Sequence, residues 1–282
     1  MPEWAVEVER LRRVFRVSEP GGRGHVEVAA VDDVSFTVAP GSSLAIVGES
    51  GSGKTTTARM IMGLEPPTSG RVLIAGAERS YQRLGSRERR RFGRRIQIVF
   101  QDPFASLDPR QRVRDCIEEV LRLHFDLSAT ARGARVLELL DEVGLDERHA
   151  RALPRALSGG QQQRVAIARA LASQPDVLIL DEAVASLDVS IQAQVLNLLA
   201  DIREQTGVTY LFISHDLAVV RQVSDEVVVM RRGVIVERGH TDRVLDAPQH
   251  PYTRALLMAV PRRGWKPVRS RFLEAQTQEE EL

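Results

Sequence analysis

The chain has 282 residues, of which 43% are hydrophobic and 27% are charged, and its formal net charge is +1. This is the balance of an ordinary globular protein, and the near-zero net charge gives no reason to expect nucleic acid as a partner. No apolar run reaches the roughly 20 residues that cross a bilayer, and residues 1–13 lack the apolar core of a signal sequence. We therefore expect a cytosolic protein, or one that reaches a membrane only through a partner.

The N-terminal part of the chain predicts strands followed by a helix. Residues 6–8 and 31–38 alternate polar and apolar side chains and are predicted strands, separated by a polar, glycine-rich loop at 18–25. Residues 44–47 are a short, fully apolar run, typical of a buried strand. A glycine-rich turn follows this run at once, and then a helix from about 54 to 64, which ends before two prolines.

The middle of the chain is predicted to be mostly helical. Residues 87–95 contain six arginines and are interpreted as a solvated helix face before a strand at 96–100. Residues 110–153 contain no clear strand, and their apolar spacing predicts a helix with one buried face. Cys116, the sole cysteine, lies at helical spacing from other apolar residues, so we expect it to pack in a core. A single cysteine excludes an internal disulfide and a cysteine zinc or iron–sulfur site within one chain.

The C-terminal half alternates strands and helices again. Residues 177–180 and 209–213 are predicted buried strands, and a helix beginning near Val189 is predicted to stop at Gly207. Two further strands, 227–230 and 234–236, are predicted to form a hairpin. Buried strands that alternate with helices imply an α/β fold with a parallel core sheet.

Residues 48–55 match the phosphate-binding pattern G-x-x-x-x-G-K-[ST], in the strand–turn–helix context that this pattern requires. The glycines allow the backbone to curl so that its N–H groups point at phosphate oxygens. Lys54 is expected between the β- and γ-phosphates, and the Thr55 hydroxyl is expected to ligate Mg²⁺. The predicted nucleotide-binding residues are Gly48, Glu49, Ser50, Gly51, Ser52, Gly53, Lys54, Thr55 and Thr56.

Three other predicted strands end in polar residues that suit a nucleotide site. Asp181 is expected to reach Mg²⁺ through water, and Glu182 is the candidate general base for an attacking water molecule. The alternative is an acidic pair that caps the next helix. Gln101 is expected to contact water or Mg²⁺, and His215 the γ-phosphate, although a lone Gln or His more often has no such role.

Residues 157–161 form a second glycine-rich segment, in which Ser158 begins a helix whose first N–H groups are open. This second anion site cannot serve the phosphate that the first loop holds. A head-to-tail dimer with two composite sites resolves the geometry, and an aspartate at Gly160 is expected to block its closure. The segment adds Ser158, Gly159, Gly160 and Gln161 to the predicted nucleotide-binding residues.

Over residues 6–239 the motifs, in this order, resemble the ATPase domain of ABC transporters. The resemblance implies a P-loop α/β domain over about residues 4–240, with a parallel core sheet, an antiparallel β subdomain and an all-helical insertion at about 102–158. It implies ATP and Mg²⁺ as cofactors, ATP hydrolysis, and stacking of Phe15 on adenine. The alternative for Phe15 is a core residue. The chain departs from the family pattern in two places: Ala183 replaces Pro, and Ala185-Ser186 replaces Ser-Ala.

Three segments, 101–110, 187–199 and 248–257, resemble the oligopeptide, dipeptide and nickel importer branch of that family. The resemblance implies two integral-membrane permease subunits, a second ATPase subunit, identical or homologous, and an extracytoplasmic substrate-binding protein. It implies a location at the cytoplasmic face of the plasma membrane. Residues 241–282 are then the extension of this branch, with an acidic, disordered tail. Some members carry a cysteine-rich iron–sulfur tail, and its lack here favours the other of the two ATPase subunits.

Two other classes compete with an importer subunit. DNA-repair ATPases of the family carry a coiled coil or zinc cysteines between the two motifs, and translation-type members carry two ATPase domains. Here Lys54 and Ser158 are only 104 residues apart and the chain has one such domain. A regulatory subunit without hydrolysis is disfavoured because Glu182 and His215 are both in place.

Overall fold

A computed structural model describes residues 3–18, 24–81, 85–102 and 106–259. The strands are β1 Val6–Ser18, β2 His25–Val38, β3 Ser43–Val47, β4 Ser69–Ile74, β5 Ala77–Glu78, β6 Ile96–Val99, β7 Val177–Asp181, β8 Thr209–Ile213, β9 Glu226–Arg231 and β10 Val234–His240. The helices are α1 Lys54–Met62, α2 Ser86–Arg95, α3 Val113–His124, α4 Ala129–Glu142, α5 Glu147–Arg151, α6 Gly159–Leu171, α7 Val189–Thr206, α8 Leu217–Val223, α9 Thr241–Asp246 and α10 Pro251–Ala259.

The central sheet has six strands in the order β10-β9-β3-β8-β7-β6. All neighbours from β9 to β6 are parallel, and β10 pairs antiparallel with β9 through the predicted hairpin. Alternate residues of β3 enter opposite cores: Ala45 and Val47 pack with the helices on one face, and Leu44 and Ile46 pack with α1 on the other. A sheet covered on both faces needs apolar side chains throughout its strands. The predicted fold class is therefore confirmed.

A second sheet, antiparallel, has the order β2-β1-β4-β5 and packs on the far side of α1. Its strands β1 and β2 are longer than predicted. In β1 the pairing register shifts three times between Val8 and Val14, and Arg10 has a φ of 44°, so the alternation that reveals a strand stops after residue 8. The strands β4 and β5 were not predicted, because only Val72 and Ile74 of their residues are buried.

The insertion between β6 and α6 contains α3, α4 and α5, and no strand among its described residues. Its predicted apolar face is buried, and Cys116 is buried on α3, where burial raises the pKa of the thiol. The arginine-rich segment is α2, and Phe92 is its one buried residue, as a solvated helix face requires. As predicted, α7 ends at Gly207, which has a left-handed φ of 68°.

The chain continues past the central sheet into α9 and α10. No helix among the described residues is long and apolar enough to span a membrane. The predicted acidic tail, at residues 274–282, lies outside the described residues, as do residues 103–105 of the segment after Gln101.

Candidate functional site

The carboxyl ends of β3, β8, β7 and β6 meet at one edge of the central sheet, because these strands are parallel neighbours. Residues 48–55 follow β3 and His215 follows β8. Asp181 is the last residue of β7 and lies opposite Ile213. Gln101 lies just beyond β6, whose Val99 is opposite Leu180. The fold thus brings together the four segments that the sequence singled out.

The backbone of the phosphate loop is clamped from behind by β2 and β9. Gly48 and Gly53 have φ values of 149° and 103°, and a Cβ atom on either would overlap a carbonyl oxygen, that of Met230 or of Ala30. The Gly233 N–H, in the β9–β10 turn, donates to the Ser52 carbonyl over 3.0 Å. These positions require glycine for space as well as for conformation.

Lys54 begins α1 and is only 5% exposed. Its Nζ donates to the carbonyl oxygens of Gly48 and Glu49, over 2.8 and 2.7 Å. Burial lowers the pKa of Lys54, while the negative charges of Glu182, Asp181 and Glu49 oppose that shift. The lysine is therefore held by the loop itself, within electrostatic reach of the acidic pair.

The remaining residues of the loop differ in exposure. Glu49, Ser50 and Gly51 are exposed, while Ser52 is buried. Thr55 and Thr56 are half-buried in the first turn of α1. Within the predicted nucleotide-binding loop, residues 49–51 thus face solvent, and Ser52 and the two threonines are less exposed.

The acidic pair at the end of β7 contacts the end of β8. Asp181 is 9% exposed, and burial, followed by the charge of Glu182, raises its pKa. The Glu182 N–H donates to the Ile213 carbonyl over 2.9 Å, and its Oε1 lies 3.2 Å from His215 Nδ1. Of the three predicted catalytic residues, Glu182, His215 and Gln101, the first two are therefore in direct contact. The alternative of a helix cap is wrong, since Asp188 caps α7 instead.

Gln101 is exposed, and its carbonyl oxygen accepts a hydrogen bond from Ser186 Oγ over 3.3 Å. Ser186 is one of the two departures from the family pattern. The Ser186 hydroxyl thus joins the loop after the acidic pair to the loop after β6.

Phe15 is half-buried on β1, opposite Val28 of β2. The Arg13 guanidinium lies 4.6 Å from the centroid of its ring. Phe15 belongs to neither hydrophobic core of the described residues, so its interpretation as a core residue is wrong. Two residues further along β2 is Ala30, whose carbonyl lies against Gly53. The strand partner of Phe15 is thus two residues from the contact with the loop, and stacking of Phe15 on adenine stays a prediction.

Ser158 caps α6 through a reciprocal pair of hydrogen bonds with Gln161. Ser158 Oγ accepts from the Gln161 N–H over 3.3 Å, and Gln161 Oε1 accepts from the Ser158 N–H over 2.9 Å. The N–H groups of Gly159 and Gly160 are the first two of the helix, where helix geometry supplies no carbonyl partner. Gln161 also reaches His149 of the insertion, over 3.2 Å.

Gly160 has a packing role that the sequence did not reveal. It is buried, and a Cβ atom there would overlap Cγ2 of Ile191 on α7. An aspartate at Gly160 would therefore disturb α7 as well as any phosphate site. At Gly159 the nearest atom to such a Cβ is Leu187 Cδ2, at 4.0 Å, so Gly159 is the better position for that experiment.

One residue at this edge was missed. Tyr252 of α10 accepts a hydrogen bond at its hydroxyl from the Glu49 N–H, over 3.0 Å. The sequence marked residues 248–257 as typical of one branch of importers, but this contact spans 203 residues and no local pattern could reveal it.

Comparisons with known proteins give the family of the chain. A family model described as "ABC transporter" matches residues 31–185, and one described as "Oligopeptide/dipeptide transporter, C-terminal region" matches residues 236–280. A dimeric ATP-binding cassette in a post-hydrolysis state bound to ADP and Pi is 29% identical, with a TM-score of 0.73 over 84% of this chain and 98% of that one. The structure of cbiO1 from Clostridium perfringens is 29% identical, with a TM-score of 0.74 over 87% and 92%.

Three curated relatives carry transport names. A putative peptide import ATP-binding protein of Brucella abortus is 49% identical over 92% of this chain and 78% of its own. The di/tripeptide transport ATP-binding protein DppF of Pseudomonas aeruginosa is 46% identical over 92% and 80%. The oligopeptide transport ATP-binding protein OppF of Bacillus subtilis is 46% identical over 93% and 84%.

The chain belongs to the ABC transporter family and is one of its ATPases. Within that family it carries the C-terminal region of the oligopeptide and dipeptide transporters, the branch that its own motifs resemble.

Proposed function

We propose that this chain is the ATP-hydrolysing subunit of an importer that takes up peptides, or a related small solute such as nickel, through partner membrane subunits. The observation that carries the proposal is the cluster of Lys54, Asp181, Glu182 and His215 at one sheet edge, in a chain with a peptide-transporter C-terminal region. The names of the relatives, peptide import and di/tripeptide transport, support the substrate class.

The contacts at the site suggest a role for each residue in hydrolysis. Lys54 exchanges its two loop carbonyls for the β- and γ-phosphates of ATP, and the N–H groups of the loop bind the same oxygens. Water attacks the γ-phosphorus, the bond to the bridging β–γ oxygen breaks, and Glu182 accepts the proton from the water. His215, 3.2 Å from Glu182, orients that carboxylate and contacts the γ-phosphate. ADP and inorganic phosphate leave.

The donor atoms at this edge suit Mg²⁺. The hydroxyl of Thr55, the carboxylate of Asp181 and the amide of Gln101 supply oxygen ligands, which this ion prefers. Asp181 is buried with its pKa raised, so a cation beside it would offset the cost of its charge. When bound, Mg²⁺ neutralises negative charge that develops on the phosphate oxygens.

A groove between the end of α1, the end of β6 and α6 suits a helix of a membrane subunit. Leu64 and Phe100 on its wall are 59% and 38% exposed, and its other lining residues include Met62, Ser106, Ala166 and Arg169. An exposed apolar groove beside Gln101 would transmit changes at the nucleotide to the permease. Docking of this kind would hold the chain at the cytoplasmic face of the membrane, beside a second ATPase subunit and below an external binding protein.

Uptake by the assembled complex tests the function. Complexes reconstituted in proteoliposomes with the external binding protein should accumulate labelled oligopeptide or Ni²⁺ only with hydrolysable ATP on the side of this subunit. Accumulation of neither solute under these conditions would contradict the proposed substrate class.

Crosslinking tests the groove. Cys116 is buried, so in Ser106→Cys a photoactivatable maleimide should label only the introduced cysteine. On illumination this label should capture the permease. Ser35→Cys, exposed on the antiparallel sheet, is the matched control and should not. Equal capture from both positions, or capture from Ser106 only within this subunit, would show that the groove is not the docking site.

A further inference from the structure

The segment before α10 is bonded on one side to β10 and on the other to α10 itself. The carboxylate of Glu237, on β10, accepts hydrogen bonds from the N–H groups of Gln249 and His250, over 2.8 and 3.1 Å. The guanidinium of Arg254 donates to the carbonyls of Pro248 and Gln249, over 3.0 and 3.1 Å. These four bonds fix the direction in which α10 leaves the domain.

That direction puts Tyr252 against the phosphate loop. Tyr252 is 7% exposed. The Arg231 guanidinium, at the end of β9, lies 5.0 Å from the centroid of its ring, and its hydroxyl accepts from the Glu49 N–H over 3.0 Å. A residue of the C-terminal segment therefore accepts a hydrogen bond from the second residue of the phosphate loop.

The hydrogen bond acts on one peptide group. The Gly48 carbonyl and the Glu49 N–H belong to the same planar unit, and Lys54 Nζ donates to that carbonyl over 2.8 Å. Tyr252 and Lys54 thus hold opposite ends of the unit. If phosphates draw Lys54 away from the Gly48 carbonyl, the hydrogen bond from the Glu49 N–H to the Tyr252 hydroxyl would remain and would still fix the plane of this peptide group.

We propose that Tyr252 is a positioning residue for ATP binding, which makes the C-terminal segment a part of the nucleotide site. Without its hydroxyl, the Gly48–Glu49 unit is free to rotate once Lys54 leaves, and the loop must be ordered at the expense of ATP binding. The inference rests on the proposed role of residues 48–55 in holding the phosphates of ATP.

The test is the Kd of a fluorescent ATP analogue, and the KM and kcat of the assembled complex, for Tyr252→Phe. One hydrogen bond corresponds to about a three- to ten-fold weaker Kd and higher KM. The kcat at saturating ATP should stay within about two-fold, because the positioning acts on binding and not on the proton transfer at Glu182.

Tyr210→Phe is the matched control. Tyr210 is also buried, and its hydroxyl donates to a backbone carbonyl, that of Leu199, over 2.8 Å. Both variants should lower the Tm, but only Tyr252→Phe should change the Kd. If Tyr252→Phe does not fold, Glu237→Gln, which weakens the anchor of the segment, should raise the KM in the same direction by a smaller factor.

The outcomes separate this inference from the proposed site. Lys54→Ala should abolish binding of the analogue. If it does, and both Tyr252→Phe and Glu237→Gln bind like the wild type, the positioning role is wrong and the site stands. If Lys54→Ala itself binds normally, the loop does not hold ATP and both proposals fail.

Discussion

Two stretches of this chain present backbone N–H groups at the start of a helix, residues 48–55 ahead of α1 and residues 158–161 at α6. The first is surrounded by its own chain: Lys54 is buried, β2 and β9 contact the loop, and three carboxylates act on the lysine. At the second, Ser158 is exposed and its hydroxyl bonds within its own helix turn.

We infer from this contrast that the phosphate loop is a complete site, and we propose that the start of α6 is half of a site. The phosphate loop brings a fixed cation, strand-end ligands and a candidate base. The start of α6 brings two N–H groups and a helix dipole, which gain energy only when an anion arrives from elsewhere. A γ-phosphate on a second ATPase subunit is such an anion, and ADP lacks it, so closure of the dimer would depend on the state of the nucleotide.

The largest expected effect concerns the complete site. Glu182→Gln keeps the side-chain shape but cannot accept a proton, so turnover by the assembled complex should fall by roughly 100-fold or more. Binding of ATP should be nearly unchanged, because the phosphate loop is intact. Single-turnover hydrolysis and equilibrium binding measure the two effects. Near-normal turnover would show that Glu182 is not the general base, and the phosphate loop would then lack a feature that distinguishes it from the start of α6.

The next effect concerns the half site. In a Glu182→Gln background, Gly159→Asp places a carboxylate where the γ-phosphate of the partner would lie, so ATP-dependent closure should be lost. Closure is measured by light scattering or crosslinking with and without ATP. Gly159→Ala, for which there is room, should still close. ATP affinity should stay within about three-fold in both variants. Closure of the aspartate variant with ATP would mean that the start of α6 does not bind phosphate.

The smallest effect concerns the buried negative charge of Asp181 beside the phosphate loop. Asp181→Asn removes a buried carboxylate whose pKa is raised by burial, so the nucleotide-free protein should melt a few degrees higher, by about 2–4 °C. The same change should raise the Mg²⁺ concentration needed for half-maximal ATP binding by roughly ten-fold. Thermal melts and Mg²⁺ titrations test both. A lower Tm in the absence of nucleotide would show that the carboxylate is compensated within the fold.

The sequence predicted this sheet edge well because each of its strands is a short apolar run with polar residues directly after it. Residues 177–180 and 209–213 are buried throughout, and a parallel sheet must place their ends together. The antiparallel sheet was harder to predict. Six of the 14 residues of β2 are exposed, Val26 and Val28 among them, and a strand with solvent on both sides loses the pattern that reveals it.

Contacts between distant segments were beyond prediction. Gly160 is required by Ile191 and Glu49 is held by Tyr252, and each contact depends on how two helices or a helix and a loop pack in three dimensions. The sequence motif indicates that Gly160 is a glycine because phosphate binds beside it. The fold adds that any larger residue would displace a neighbouring methyl group of Ile191.

Glu182 itself has a φ of 49°, in the left-handed region where residues other than glycine are uncommon. Holding a glutamate there costs on the order of 1 kcal/mol, and the proposed role as general base would account for a glutamate at this position. In a lineage freed from the need to hydrolyse ATP, drift would favour glycine or asparagine at this position, because either relaxes the backbone. The residue found there in any descendant of this chain would then record whether hydrolysis was still under selection.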